Sequence, residues 1–308
     1  MGFIDVSAFV CLVIGTCIHY ITTTNLYFDN IDLIIGSSYD NISLEMLTII
    51  RGLFGCIVII TSLYVLFDKK PLKMTLTTRD GSTIQFNAIH YERFTTYTCW
   101  TWTLIGLYFT LTTYCGVVVL VLKGQNGNEI ELNEYFSNNF FQFLWILYEC
   151  TFTVSILITF IVTYILIPGG KSKGLDVSNL FTIPSLLMHN ANIIFMVTEG
   201  CINKIPIYMS HVPFVVLYGI IYVLFAWIWF QYRGIFYYFF LDYGRPYALF
   251  WYIGLIIAVS IIVYCVILLY CYIVIVLYIY IYIVIRIIWN IYMCDLYLCV
   301  FISCYIWI

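Results

Sequence analysis

His189 is an ionisable residue far inside an apolar segment of this 308-residue chain. It lies in the uncharged run 177–198, about nine residues into the expected span, and so about 13 Å along a helix that rises 1.5 Å per residue. An imidazole at that depth needs a hydrogen-bond partner. It can join two helices as a packing group, or act as a general base. Asn190 and Asn192 follow it and are candidates to orient the ring or stabilise an oxyanion.

A general base needs a group to activate, and the start of the third apolar segment supplies five threonines. They are Thr95, Thr96, Thr98, Thr101 and Thr103. A single threonine in a helix often bonds its own turn and is therefore uninformative. As a set they offer a hydroxyl nucleophile that a neighbouring histidine could deprotonate. The residues alone leave two hypotheses open, a Thr–His catalytic pair and a set of packing groups.

Four more ionisable residues stand in apolar segments: Arg51, Glu149, Glu199 and His211. Each costs roughly 2.5–3.5 kcal/mol on insertion scales, so each requires a structural or functional reason. All four fall toward the same, predicted lumenal, ends of their helices. We expect Arg51 to form an interhelical ion pair with one carboxylate. The alternative is a Glu-Glu-His metal site, but no ligand spacing supports it and we predict no metal.

The amino-acid composition indicates whether these residues lie in water or in a membrane. Hydrophobic residues make up 63% of the chain and charged residues only 9%, against about 25% charged in a soluble domain. A soluble globule and a disordered chain are both excluded. The net charge of −3, without a basic tract, gives no footprint for nucleic acid. The sequence therefore predicts an all-α, polytopic membrane helix bundle.

Apolar runs long enough to cross a bilayer predict about seven spans, since a span needs about 20 apolar residues. The runs are 6–28, 46–67, 94–122, 140–167, 177–198, 205–232 and the start of 246–285. The first is expected to be a signal anchor, and the segment Pro-Gly-Gly at 168–170 to end the fourth. An eighth span at the C-terminus stays open, because the Tyr/Ile bias after about residue 275 also fits an unpacked extension.

The loops predict an orientation and a domain division. The stretch around Asp80-Gly81, in loop 68–93, alternates polar and apolar residues and predicts a β-hairpin outside the membrane. Nine basic residues lie in loops on the hairpin side and two on the other, which places the hairpin and the N-terminus in the cytosol. We expect an anchor and lumenal loop (1–44), a bundle (45–275) and a low-complexity tail (276–308), in the endoplasmic reticulum or plasma membrane.

Several blocks together resemble the rolling stone-like proteins, which are similar to the androgen-induced transmembrane family. The blocks are "RFTTYTCWTWTLIGLYF", "FLWILYECTFTVSILITFIVTYILIP", "SLLMHNANIIFMVTEG" and "HVPFVVLYGIIYVLFAWIWF" with "FLDYGRP". Their order and spacing match over roughly residues 45–270, apart from the hairpin insert. The androgen-induced members hydrolyse fatty acid esters of hydroxy fatty acids, whereas rolling stone is associated with myoblast fusion.

The resemblance implies specific roles for two residues. The family's threonine nucleophile maps onto Thr98, with Thr96 or Thr101 as the equivalent if the register slips. Its histidine precedes an acidic residue by ten positions, which here corresponds to His189 and Glu199. The implied function is an intramembrane hydrolase of lipid esters, and the alternative is a non-catalytic membrane protein acting in cell fusion or development. Membrane lipids are the expected partners, and we expect no cofactor because no cofactor motif occurs.

Overall fold

The chain is an all-α helix bundle with one small hairpin, as the sequence predicts. The structure is a computed structural model that describes residues 3–24, 26, 28, 34, 36–38, 42–79, 82–126 and 135–268. Within these residues, six helices are long and apolar enough to cross a membrane. They are α1 (Phe3–Thr23), α2 (Leu44–Phe67), α3 (Tyr97–Asn126), α4 (Asn138–Ser172), α6 (Met209–Arg233) and α7 (Ala248–Leu268). Between α4 and α6 lies an irregular helix, α5 (residues 183–202).

Helix α5 corresponds to the fifth predicted span, but it differs from a regular transmembrane helix. It consists of an α-helical turn Ile183–Leu186, a π-helical turn Leu187–Ala191 and an α-helix Asn192–Ile202. The backbone N–H of Asn192 bonds the carbonyl of Leu187, five residues earlier. The π turn coincides with the polar stretch His189-Asn190, and these polar residues lower the hydropathy of the segment. Among the described residues, six of the seven predicted spans therefore correspond to helices long and apolar enough to cross a membrane, and the fifth does not.

Helix α4 also contains a π turn, and it runs further than the sequence predicts. Its α-helix Asn138–Phe160 passes through the π turn Ile161–Leu166 into a last piece, Ile167–Ser172. The expected stop at Pro-Gly-Gly is therefore wrong by a few residues. Pro168 sits in the first turn of the last piece, where the missing N–H is tolerated. The helix ends before Gly174, which adopts a left-handed φ of 66°.

The predicted hairpin is confirmed. Strands β1 (Leu72–Thr77) and β2 (Thr83–Ala88) pair antiparallel, with Leu72 opposite Ala88 and Thr77 opposite Thr83. The Asp80-Gly81 turn itself lies outside the described residues. Leu76 of the hairpin packs against Trp229 and Ile235 at the end of α6. We call this side of the bundle the hairpin end.

Two ion-pair clusters fasten the hairpin end. Arg79 donates three hydrogen bonds to Asp242, the shortest at 2.6 Å, and Arg245 donates to the carbonyls of Thr77 and Thr78. Arg93 pairs with Asp68, while Arg233 pairs with Glu92. The hairpin therefore lies on the loop between α6 and α7 as part of the folded bundle.

The apolar core is formed mainly by α1, α4, α6 and α7. Val10 of α1, Val154 of α4, Val216 of α6 and Val259 of α7 belong to one buried cluster. Helices α2 and α3 pack closely through glycines, with Gly55 facing Phe109 and Gly106 facing Val58. The outward faces carry large exposed apolar side chains, including Ile60, Tyr164 and Ile228. An apolar core with an apolar exterior is the pattern of a protein surrounded by lipid.

Contacts divide the chain into a unit of residues 1–263 and a second unit that begins at Tyr264. The first unit contains the predicted anchor helix α1, which packs into the same core as α4 and α6. Of the second unit the structure describes only the last turn of α7, residues 264–268. The possible eighth span and the low-complexity tail 276–308 lie outside the described residues.

Candidate functional site

The five threonines at the start of α3 have different surroundings. Thr95 donates to the phenol of Tyr237, and the Thr96 hydroxyl accepts the Cys99 N–H in the first turn of α3. Thr101 pairs with the phenol of Tyr218, while Thr103 bonds the carbonyl of its own turn. Of the five, Thr98 lines the apolar cavity described next.

The cavity is a largely apolar space of about 110 Å³ that is partly open to the outside. Its wall is built from α1, α3, α4, α6, α7 and the loop between α6 and α7. The apolar wall includes Val10, Ile158, Val162, Val216 and Leu255, and the hydroxyl-bearing residues are Tyr97, Thr98, Tyr222, Tyr238 and Tyr252. No Asp, Glu, Lys, Arg or His lines it, counting the described residues.

The hydroxyl groups gather toward the hairpin end of the cavity. Tyr222 donates to the carbonyl of Thr95 at 3.1 Å, and Tyr252 donates to the carbonyl of Leu241 at 2.7 Å. Thr98 lies near the Tyr238 phenol, and both side chains line the cavity. Desolvation raises the pKa of Tyr238 to about 12, so this phenol is neutral at physiological pH. Thr98 and Tyr238 thus present an uncharged polar patch to an apolar chamber.

His189 is not part of this wall. Its ring Nδ1 lies 3.0 Å from the hydroxyl of Ser185, one turn earlier in α5. Its carbonyl accepts a hydrogen bond of 2.6 Å from Thr159 of α4. Among the described residues, no hydrogen bond joins His189 to Thr98. Helices α3 and α5 do touch nearby, but the contact is between the sulfur atoms of Cys99 and Met188, 3.8 Å apart.

The two asparagines after His189, Asn190 and Asn192, differ in their surroundings. Asn190 is exposed, whereas Asn192 is buried with 1% of its surface accessible. The Oδ1 atom of Asn192 accepts from the backbone N–H of Ile193 and from Thr159. Neither asparagine forms a hydrogen bond with Thr98 in the described part of the chain. Asn192 therefore serves the α4–α5 contact in this structure.

Arg51 and Glu199 form the interhelical ion pair that the sequence suggests. The guanidinium of Arg51 donates to Glu199 Oε1 at 2.6 and 3.0 Å, and to the carbonyl of Ile34. Tyr108 of α3 donates to the same oxygen at 2.7 Å, and Asn203 donates at 3.3 Å. This cluster joins α2, α3 and α5 at the end of the bundle away from the hairpin.

Glu149 and His211 form a second cluster, between α4 and the start of α6. The His211 Nδ1 and Glu149 Oε2 atoms are 2.7 Å apart. Glu149 Oε1 accepts from the backbone N–H of Tyr208 at 2.9 Å and from Trp145 Nε1 at 3.3 Å. The ring of Phe28 stacks on His211 with centroids 4.7 Å apart. Like the first, this cluster fixes helix ends.

The Glu-Glu-His metal alternative does not fit this arrangement. Glu149 is paired with His211, whereas Glu199 is paired with Arg51. Within the described ranges, no three His, Cys, Asp or Glu side chains lie close enough together to share a metal ion. His19 is exposed on α1 and joins neither cluster.

Sequence reasoning did not identify several partners of these residues. Ser185 lies four positions before His189, and this helical spacing is a signal that could have revealed it. Thr159, Tyr108 and Tyr238 come from distant segments, and no local pattern marks them. Comparison with known protein families, curated proteins and solved structures finds no match for this chain.

Proposed function

We propose that this multi-pass membrane protein binds a membrane lipid in the cavity between α1, α3, α4, α6 and α7. The observation that carries the proposal is the lining, an apolar wall with a few hydroxyl groups at one end. Sites for small ligands are typically apolar, with a few polar groups that fix the orientation of the ligand. A lipid tail can occupy such a chamber while its head lies beside Thr98 and Tyr238.

Lipid binding can be tested by filling the cavity. Gly219 of α6 lines the chamber, and a Cβ atom added there meets nothing within 4 Å. Gly219→Leu should therefore occupy the space without disturbing the helix. Gly254→Leu on α7 is the matched control, because Gly254 also has open space but does not line the cavity. Native mass spectrometry should show lipid retained by wild type and Gly254→Leu and lost from Gly219→Leu. Equal retention in all three proteins would contradict the proposal.

A second candidate function, hydrolysis of lipid esters such as fatty acid esters of hydroxy fatty acids, is favoured by the position of Thr98. A nucleophile in the wall of a lipid cavity is where an ester could reach it laterally. The Thr98–His189 pair requires the His189 ring to leave Ser185 and turn toward Thr98. Labelling by a fluorophosphonate probe should then be lost in Thr98→Val and His189→Gln. It should persist in Thr103→Val, whose hydroxyl bonds only its own turn.

The non-catalytic alternative is supported by the separate partners of Thr98 and His189. In that case both residues stabilise helix contacts, and the protein acts in cell fusion or development as the rolling stone resemblance implies. Absence of probe labelling in the wild-type protein, with lipid still bound, would favour it.

We also propose an orientation of the chain across the membrane. The bias of nine basic loop residues to two supports a cytosolic hairpin and N-terminus, in the endoplasmic reticulum or plasma membrane. An epitope inserted between β1 and β2 should be stained after selective permeabilisation of the plasma membrane and not in intact cells.

A further inference from the structure

The chemistry of the cavity restricts which lipids it can take, and this inference rests on the lipid-binding function proposed above. The residues that line it carry no charge, and the polar groups at its hairpin end are hydroxyls. A hydroxyl can donate and accept a hydrogen bond, so the patch suits a head group with hydroxyl or ester oxygens. An ionised carboxylate or phosphate would enter without a counter-charge, and a buried charge without a partner is strongly unfavourable.

The arginines near this end of the cavity are already engaged. Arg79 and Arg245 both pair with Asp242. Arg93 pairs with Asp68, and Arg233 pairs with Glu92. None of these four arginines lines the cavity, nor does any lysine of the described residues. An anionic head group at the Thr98–Tyr238 patch could therefore pair with a nearby guanidinium group only in competition with a carboxylate that is already bound to it.

We infer that the cavity selects neutral lipids of the monoacylglycerol type, with the glycerol or ester oxygens at Thr98 and Tyr238 and the acyl chain among the apolar residues. An ionised head group placed at this patch, such as the carboxylate of a free fatty acid, is disfavoured by the missing counter-charge. A hydroxyl-bearing neutral head satisfies the patch without requiring any residue to change its charge state.

Two photo-reactive probes with the same chain distinguish these ligands. The full-length protein in nanodiscs is exposed to a diazirine-alkyne monoacylglycerol or to the corresponding diazirine-alkyne fatty acid at pH 7.4. We expect the monoacylglycerol probe to label peptides that contain the cavity residues at least ten times more than the fatty acid probe. Unlabelled monooleoylglycerol should compete, whereas oleate at the same concentration should not. Gly219→Leu and Val216→Phe should each abolish the specific labelling.

The outcomes separate this inference from the function on which it rests. Equal or stronger labelling by the fatty acid, or equal competition by oleate, would overturn the neutral-lipid selection while leaving lipid binding intact. Labelling of the cavity by neither probe would overturn both. Because the comparison of probes and competitors is made on the wild-type protein, it does not depend on whether a variant folds.

Discussion

Arg51 and Glu199 are separated by 148 positions in the chain, yet their side chains meet at 2.6 Å with 2% and 0% of their surfaces exposed. Tyr108 and Asn203 donate to the same carboxylate oxygen. Three helices therefore converge on a single charged group. A buried pair of this kind is strongly destabilised when one partner is removed, because the other is left as an uncompensated charge.

Removal of one member of this pair should destabilise the bundle, and removal of both should restore much of the loss. We expect Arg51→Met alone to lower the free energy of unfolding by about 3–5 kcal/mol. The double variant Arg51→Met/Glu199→Leu should recover at least half of that, since no charge remains unpaired. Reversible unfolding in mixed micelles measures both. A single variant as stable as wild type would show that the pair does not hold the helices together.

The stability that the Glu149 cluster contributes should depend on the hydrogen-bond acceptors of the Glu149 side chain. Glu149 accepts from Tyr208 N–H and Trp145, and its second oxygen contacts His211. Glu149→Ala removes the acceptor of the Tyr208 N–H and the partner of His211 Nδ1, whereas Trp145 Nε1 keeps the carbonyl of Pro206. Each buried donor that loses its acceptor costs about 1–3 kcal/mol. Glu149→Gln keeps an acceptor of the same shape and should lose clearly less. Thermal unfolding of the two variants checks the order, and an equal loss in both would contradict the hydrogen-bond interpretation.

The contact between α2 and α3 should depend on the glycine at position 106. A Cβ atom there would lie 2.8 Å from Cγ1 of Val58, so Gly106→Ala overpacks the interface. We expect a loss of about 1–3 kcal/mol, relieved in the double variant Gly106→Ala/Val58→Ala. Gly124→Ala is the control on the same helix, because a Cβ atom there meets nothing within 4 Å. No relief in the double variant would argue against close packing at this site.

Loss of the Asp242 carboxylate should weaken the contact between the hairpin and the loop that joins α6 and α7. Asp242→Asn removes the charge that Arg79 and Arg245 share. Arg79 is 46% exposed, so water screens the interaction and we expect a cost of about 1 kcal/mol or less. Amide hydrogen exchange in β1 and β2 should rise up to about fivefold while the bundle keeps its melting temperature. Asp176→Asn, in the exposed loop before α5, is the control and should leave the exchange unchanged.

The regular parts of the fold could be predicted from sequence because their signals are local. A helix crossing lipid must be apolar for most of its length, and an alternating stretch around Asp-Gly forms a hairpin. The Arg51 pair could be anticipated as well, since a cation in an apolar segment needs a counter-charge. The choice of Glu199 over Glu149 could not, because it depends on how α2, α3 and α5 pack.

The irregular parts could not be predicted, because they too depend on how distant helices pack. The π turns at residues 161–166 and 187–191 have no sequence signature of their own, although the polar stretch at His189 marks the second. Thr159 of α4 bonds the carbonyl of His189, and this contact exists only when the two helices lie side by side. Likewise, the family resemblance points to Thr98 among five threonines, but its neighbour Tyr238 is supplied by a loop 140 positions away.

The contact between Arg79 and Asp242 joins residues 163 positions apart, which has a consequence for biosynthesis. When the hairpin leaves the ribosome, the segment on which it will lie has not yet been translated. Leu76 and Ile84 therefore lack their final packing partners until α3, α4, α5 and α6 have been synthesised. The face of the hairpin that packs against the end of α6 and the following loop is uncovered during this part of synthesis. The hairpin end can reach its final arrangement only after the loop preceding α7 has emerged.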